Sequence, residues 1–164
     1  MNTPLFLLRD TPEDLWALSV RNPDAHTQLE KLVAPGSESK PSVPLLRVLI
    51  AYVDQLHNYV QEIPPLAWEL LEYADEPLEI VYPQKKFSVQ TENESSAICV
   101  RLVKQPKLLR FLQKQGPVWA ARWEDGNFEN ISVATPVDCR DKKYPYQYVK
   151  TVMIRRDGTF TFLR

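Results

Sequence analysis

Residues 97–121 read AICVRLVKQPKLLRFLQKQGPVWAA, and three consecutive elements follow from them. Ala97 to Val103 is an apolar, β-branched run of strand length, with Arg101 as its one charge. Leu108 to Lys114 has helical periodicity: Leu108, Phe111 and Leu112 share a face, and Lys107, Arg110 and Lys114 form a stripe beside it. Gly116-Pro117 ends that helix, and Val118 to Ala121 is a second short strand. Toward the C-terminus, Tyr148–Arg155 and Thr159–Leu163 flank Asp157-Gly158, the turn dipeptide of a hairpin.

The alternation continues toward the N-terminus. Pro77–Tyr82 and Val43–Ile50 are strand-like, and helical stretches are expected at Val53–Val60 and Pro65–Ala74. Asn22-Pro23-Asp24 opens a helix over Ala25–Val33. Leu5–Leu8 is a first strand, and Thr11-Pro12-Glu13-Asp14 carries the cap, proline and acid of another helix start. Strands alternating with helices predict an α/β fold with a mixed sheet, in a single domain over residues 1–164.

Composition excludes more than it assigns. Hydrophobic residues are 44%, charged residues 25% and the net charge is −1, so wholesale attraction to nucleic acid or anionic lipid is ruled out and only a local patch could supply it. The four glycines are too scattered for a GxGxxG or GxxxxGK[ST] phosphate loop. Two cysteines without short spacing point to the reducing cytoplasm rather than a disulfide scaffold, and no membrane span is visible. Cys99, Cys139, His26 and His57 stand singly, so no metal site is expected. Cys99 lies within a buried strand, where a thiol acts as a small hydrophobe.

Charge is unevenly spread. Residues 48–84 hold seven acids and no lysine or arginine, whereas residues 85–122 hold eight bases against two acids. In the basic half Lys104, Lys107, Arg110 and Lys114 are candidates for contacts to RNA phosphates; a solvated helix face explains the same stripe without a ligand. Lys142-Lys143-Tyr144-Pro145-Tyr146-Gln147-Tyr148 mixes bases with stackable rings, but tyrosines covering a core account for it too. Asp10, Glu13 and Asp14 form a carboxylate cluster that either serves acid/base chemistry or complements a helix dipole.

The order of several segments resembles the YrdC-like family, the threonylcarbamoyl-AMP synthases of tRNA modification. The segments are Asp14-Leu15-Trp16-Ala17-Leu18, Asn22-Pro23-Asp24-Ala25, Ser39-Lys40-Pro41 before the Val43–Ile50 strand, Asp54–Val60, Pro77–Pro83, Ser96–Arg101 and the closing Asp157-Gly158 hairpin. The resemblance implies a twisted, open mixed sheet flanked by helices, with a concave positive cleft. In that cleft family members join threonine, bicarbonate and ATP, and double-stranded RNA binding is ascribed to it as well. Carried over residue by residue, it leaves Lys40, Arg101, Asp14 and Trp16 as residual ligand-binding positions.

The chain departs from the family pattern where charge matters. Pro12-Glu13-Asp14 stands at the threonine-rich end of the first strand, and Leu32-Val33-Ala34-Pro35 where a Lys-x-Arg pair is expected. Glu79 replaces a threonine, and Ala120-Ala121-Arg122-Trp123 replaces Ser-Ala-Asn. Losing cations and gaining carboxylates opposes binding of a triphosphate; at ~4 Å and an effective dielectric of ~20 each reversed pair is worth about 4 kcal/mol. The expectation is therefore a catalytically degenerate protein without cofactor or catalytic residues, a binding module for structured RNA, tRNA or a protein partner. The alternatives are an active nucleotidyltransferase using ATP and magnesium in a remodelled pocket, and a module that self-associates through its acidic and basic segments as a homodimer.

Overall fold

The computed structural model describes residues 5–33, 44, 46–83, 97–125 and 136–163. Nine strands among them form one mixed sheet in the order β7-β1-β2-β6-β3-β5-β4-β8-β9. In chain order these are β1 (Phe6–Arg9), β2 (Asp14–Ser19), β3 (Leu46–Ile50), β4 (Leu78–Tyr82), β5 (Ile98–Leu102), β6 (Val118–Arg122), β7 (Pro136–Asp138), β8 (Lys150–Ile154) and β9 (Phe160–Phe162). Helices α1 (Ala25–Leu32), α2 (Pro65–Tyr73) and α3 (Pro106–Gln115) complete the α/β arrangement.

The alternation of side chains divides the core into two layers. Trp16, Leu18, Val48, Ile50, Ile80, Tyr82, Val100 and Trp119 point to the side covered by α1 and α2. Leu15, Ala17, Leu49, Val118 and Ala120 point to the other side, where Leu108 and Leu112 of α3 pack on them. The central strands β3 and β4 are buried at every position, and continuous apolar runs are what such strands require. Two of those buried positions nevertheless carry charge, Arg47 and Glu79.

The expected mixed sheet, the strand–helix–strand of residues 97–121 and the terminal hairpin are all present. The expected helix at Thr11 is not. Asp14–Ser19 is instead strand β2, hydrogen-bonded between β1 and β6 and buried at its four central residues. The cap, proline and acid signals were local, and two-sided burial of Leu15, Trp16, Ala17 and Leu18 overrides them. Thr11 and Pro12 turn the chain between β1 and β2. The helix expected over Val53–Val60 is a six-residue 3-10 helix, Val53–Asn58. Strand β7, too short and polar to register in the sequence, pairs parallel with β1.

Candidate site: a buried arginine–carboxylate cluster

Register brings the site together. Arg101 on β5 stands directly opposite Glu79 on β4, which in turn pairs with Thr151 on β8. Arg47 on β3 pairs with Cys99 on β5. All five side chains therefore emerge on the α3 side of the sheet. Glu79 is fully buried, and Arg47, Arg101 and Thr151 are almost so.

The Glu79 carboxylate is the hub. Its Oε1 accepts from Arg101 Nε at 3.1 Å, accepts again from Arg101 Nη2, and lies 2.8 Å from Arg47 Nε. Its Oε2 accepts from the Thr151 hydroxyl at 3.4 Å and from the Cys99 thiol at 3.7 Å. Burial alone would raise its pKa, but the charges of Arg101 and Arg47, aided by the Arg101 hydrogen bond and by Arg122, hold it below the ordinary value. Burial, with Glu79 beside it, pushes the Cys99 thiol far up, so it sits there as a neutral donor.

A second set of carboxylates arrives from the β1–β2 turn. Glu13 Oε1 accepts from Arg101 Nη2, and Asp10 Oδ2 lies 4.0 Å from Arg101 Nη1. Asp10 Oδ1 accepts from Gln105 Nε2 at 2.7 Å and from the Thr11 amide at 2.8 Å. Burial raises the Asp10 pKa against the pull of Arg101. In sheet order β2 and β5 are separated by β6 and β3. A flat sheet would hold them about 14 Å apart. The contact between Glu13 and Arg101 bridges that span with two long side chains on the α3 face.

Two guanidinium groups meet three carboxylates here. The cluster is not a store of free positive charge, and a highly charged anion approaching it would meet Glu13 and Asp10 first. Beside Arg101 a shallow crevice opens between Asp10, Pro12, Pro77, Lys104 and Tyr144, with room for no more than about one water. Burial pushes the Tyr144 hydroxyl up to about 12, which keeps it neutral.

The residues singled out in the sequence lie in several places. Arg101 is central to the cluster. Asp14 and Trp16 belong to β2, and Trp16 points to the α1/α2 layer, opposite to Arg101, where it stacks on Trp123 at 4.5 Å. Lys40 lies outside the described residues. Lys107, Arg110 and Lys114 are exposed on α3, a helix with no acidic residue. Lys104 is engaged differently: its ammonium donates to the carbonyls of Glu72 (3.0 Å) and Ala74 at the C-terminus of α2.

Arg47, Gln105 and Thr151 escaped the sequence reading. A signal for Arg47 was available. An arginine inside one interior strand and a glutamate inside another, each otherwise apolar, are each untenable unless they meet. Among the described residues no group of three or more His, Cys, Asp and Glu could hold a metal, and no helix is long and apolar enough to cross a membrane.

A nine-stranded mixed sheet with helices on both faces matches the architecture of the YrdC-like proteins, and solved structures bear this out. P. abyssi Sua5, as its H234A/Y235A variant, superposes with a TM-score of 0.72 at 16% identity over 99% of this chain and 49% of that one. P. abyssi Sua5 complexed with L-threonine gives 0.72 at 15%, over 99% and 50%. The solution structure of MTH1692 from Methanobacterium thermoautotrophicum gives 0.61 at 12%, over 99% and 80%. The chain thus has the YrdC-like fold and spans about half the length of the two Sua5 chains. No family model and no curated protein matches its sequence.

Proposed function

We propose that this chain is a YrdC-like fold that has given up nucleotide chemistry and works by binding, with structured RNA as its partner and the outer face of α3 as the contact surface. The observation that carries the first half is the engagement of Arg101 by Glu79 and Glu13. Catalysis on ATP depends on positioned cations that offset charge developing on phosphate. Here the Arg101 guanidinium is already engaged by the chain's own carboxylates. P. abyssi Sua5 has been seen with L-threonine; for this chain the reading assigns no such ligand.

The second half is supported by Lys107, Arg110 and Lys114. They follow one helical stripe, stand exposed and face no acid from their own helix. Each phosphate contact releases counterion and steepens the dependence of affinity on salt by about 0.9 in log–log slope. Calorimetry with ATP, magnesium and L-threonine is expected to show no heat of binding, and micromolar binding of ATP would overturn the degenerate reading. RNA-duplex binding is expected to weaken steeply with salt, with a shallower slope after Lys107→Gln, Arg110→Gln and Lys114→Gln together. A triple variant with unchanged affinity and slope would remove the RNA half.

A further inference from the structure

We infer that Glu79 is the tethered ligand of a built anion receptor made by Arg47, Arg101, Thr151 and Cys99, and that the receptor takes a small free carboxylate once the Glu79 side chain is removed. Four observations converge on it. The backbone of β3, β5 and β8 carries Arg47, Arg101, Cys99 and Thr151, whereas the carboxylate they face comes from a separate strand, β4. Both guanidinium groups approach one oxygen, Oε1, while hydroxyl and thiol take the other. Charged and neutral donors thus converge on the two oxygens of a single carboxylate, itself a planar monoanion.

The receptor also has unused capacity. Among the described residues Arg47 Nη1 and Arg101 Nη1 are buried without a hydrogen bond, and Arg47 Nε, although 2.8 Å from Glu79 Oε1, meets it as an ion pair without hydrogen-bond alignment. A carboxylate held on a strand cannot shift to serve them, whereas a free one can. The crevice at Asp10, Pro12, Pro77, Lys104 and Tyr144 is lined by Arg101 as well, and it must widen from its one-water size to admit a carboxylate.

Ligand class follows from what substitution removes. Replacing Glu79 by alanine deletes the terminal CH2 and carboxylate, the heavy atoms of acetate. Glu13 and Asp10 remain close by. They disfavour a dianion such as hydrogen phosphate, and triphosphate more strongly. Acetate, formate and bicarbonate are planar monoanions of suitable size.

The test is the thermal melting of Glu79→Ala in sodium acetate against sodium chloride of equal ionic strength. Acetate at ten times its Kd is expected to raise the melting temperature by about 3–6 °C over chloride, with no selective effect on the native chain. Arg47→Ala/Glu79→Ala, which lacks half of the clamp, is expected to lose most of the response. If Glu79→Ala does not fold unaided, refolding from urea is compared in the two salts, and recovery only in acetate supports the receptor. Acetate acting no better than chloride, no recovery in either salt, or an equal response of the native chain overturns it. These outcomes are separate from the reading above, which is decided by ATP calorimetry on the native chain.

Discussion

Asp10 and Gln105, 95 residues apart in the chain, share a buried hydrogen bond of 2.7 Å. The same Gln105 amide donates to the Cys139 carbonyl, and its Oε1 accepts from the amides of Lys107 (2.6 Å) and Leu108 (3.2 Å). One side chain thereby caps α3 and joins the ends of β1 and β7 to it. Glutamine is an uncommon helix cap. It serves here because it has two donors left over for Asp10 and Cys139.

Gln105→Ala should therefore cost more than an ordinary cap. The lost cap accounts for about 1 kcal/mol, and the buried acceptors left unpaired add about 1–3 kcal/mol. Gln105→Glu keeps the cap but sets a second carboxylate against Asp10, and should be at least as damaging. Urea unfolding measures both. A loss below about 0.5 kcal/mol for the alanine variant would mean that water replaces the amide without penalty.

Acid should act on Asp10 and Glu79 in opposite directions. Asp10 has a raised pKa, so its ionised form is disfavoured in the fold, and that cost is relieved as pH falls through the raised value toward 3.8. Glu79 has a lowered pKa; its stabilisation is complete above the ordinary 4.5 and is lost as pH falls through the folded value below it. Stability is expected to hold down to about pH 4.5 and then to drop. Glu79→Gln should be less stable at neutral pH, with a shallower loss below 4.5. Urea midpoints measured from pH 7 to pH 3 check this, and an unchanged acid limb in the variant would reassign the loss to other carboxylates.

Lys104 should separate from the other basic candidates in a binding assay. Its ammonium satisfies two carbonyls at the C-terminus of α2, where a cation also complements the helix dipole. Lys104→Met should cost about 1 kcal/mol of stability and leave RNA affinity and its salt slope unchanged. Substituting Lys107, Arg110 or Lys114 should do the reverse. A Lys104 variant that loses affinity while melting normally would return this residue to the contact surface.

The sequence carried much of the fold because the interior strands announce themselves. Leu78–Tyr82, Ile98–Leu102 and Val118–Arg122 are buried runs whose apolar character needs no partner to be recognised. Signals of the next turn or two were less dependable. Thr11-Pro12-Glu13-Asp14 has everything a helix start needs, yet the carboxylate of Glu13 is spent on Arg101, 88 residues away. The site was legible in part. Arg101 emerged from a motif and Glu79 from its departure, but their union with Arg47 depends on strand order β3-β5-β4, which no local pattern encodes. Asp14 and Trp16 illustrate the same limit: one residue from Glu13 or Leu15 is enough to put a side chain on the other face.

Gly116 gives the sharpest backbone test. It closes α3 with φ 83° and ψ 179°, and its amide donates to the Leu112 carbonyl at 2.7 Å. That combination of angles is reserved for glycine, and other residues held there cost of order 1–3 kcal/mol. Space is not the obstacle, because an added Cβ would find only Arg21 Nη2 at 3.8 Å and Nε at 3.9 Å. Gly158, at φ 88°, has nothing within 4 Å. Gly116→Ala should consequently destabilise by about 1–3 kcal/mol, whereas Gly116→D-Ala, introduced by chemical ligation, should be neutral or stabilising because it accepts positive φ. Equal losses for the two enantiomers, measured by urea unfolding, would show that the cost is steric contact rather than the dihedral, and the assignment of this helix end to its backbone angle would fall.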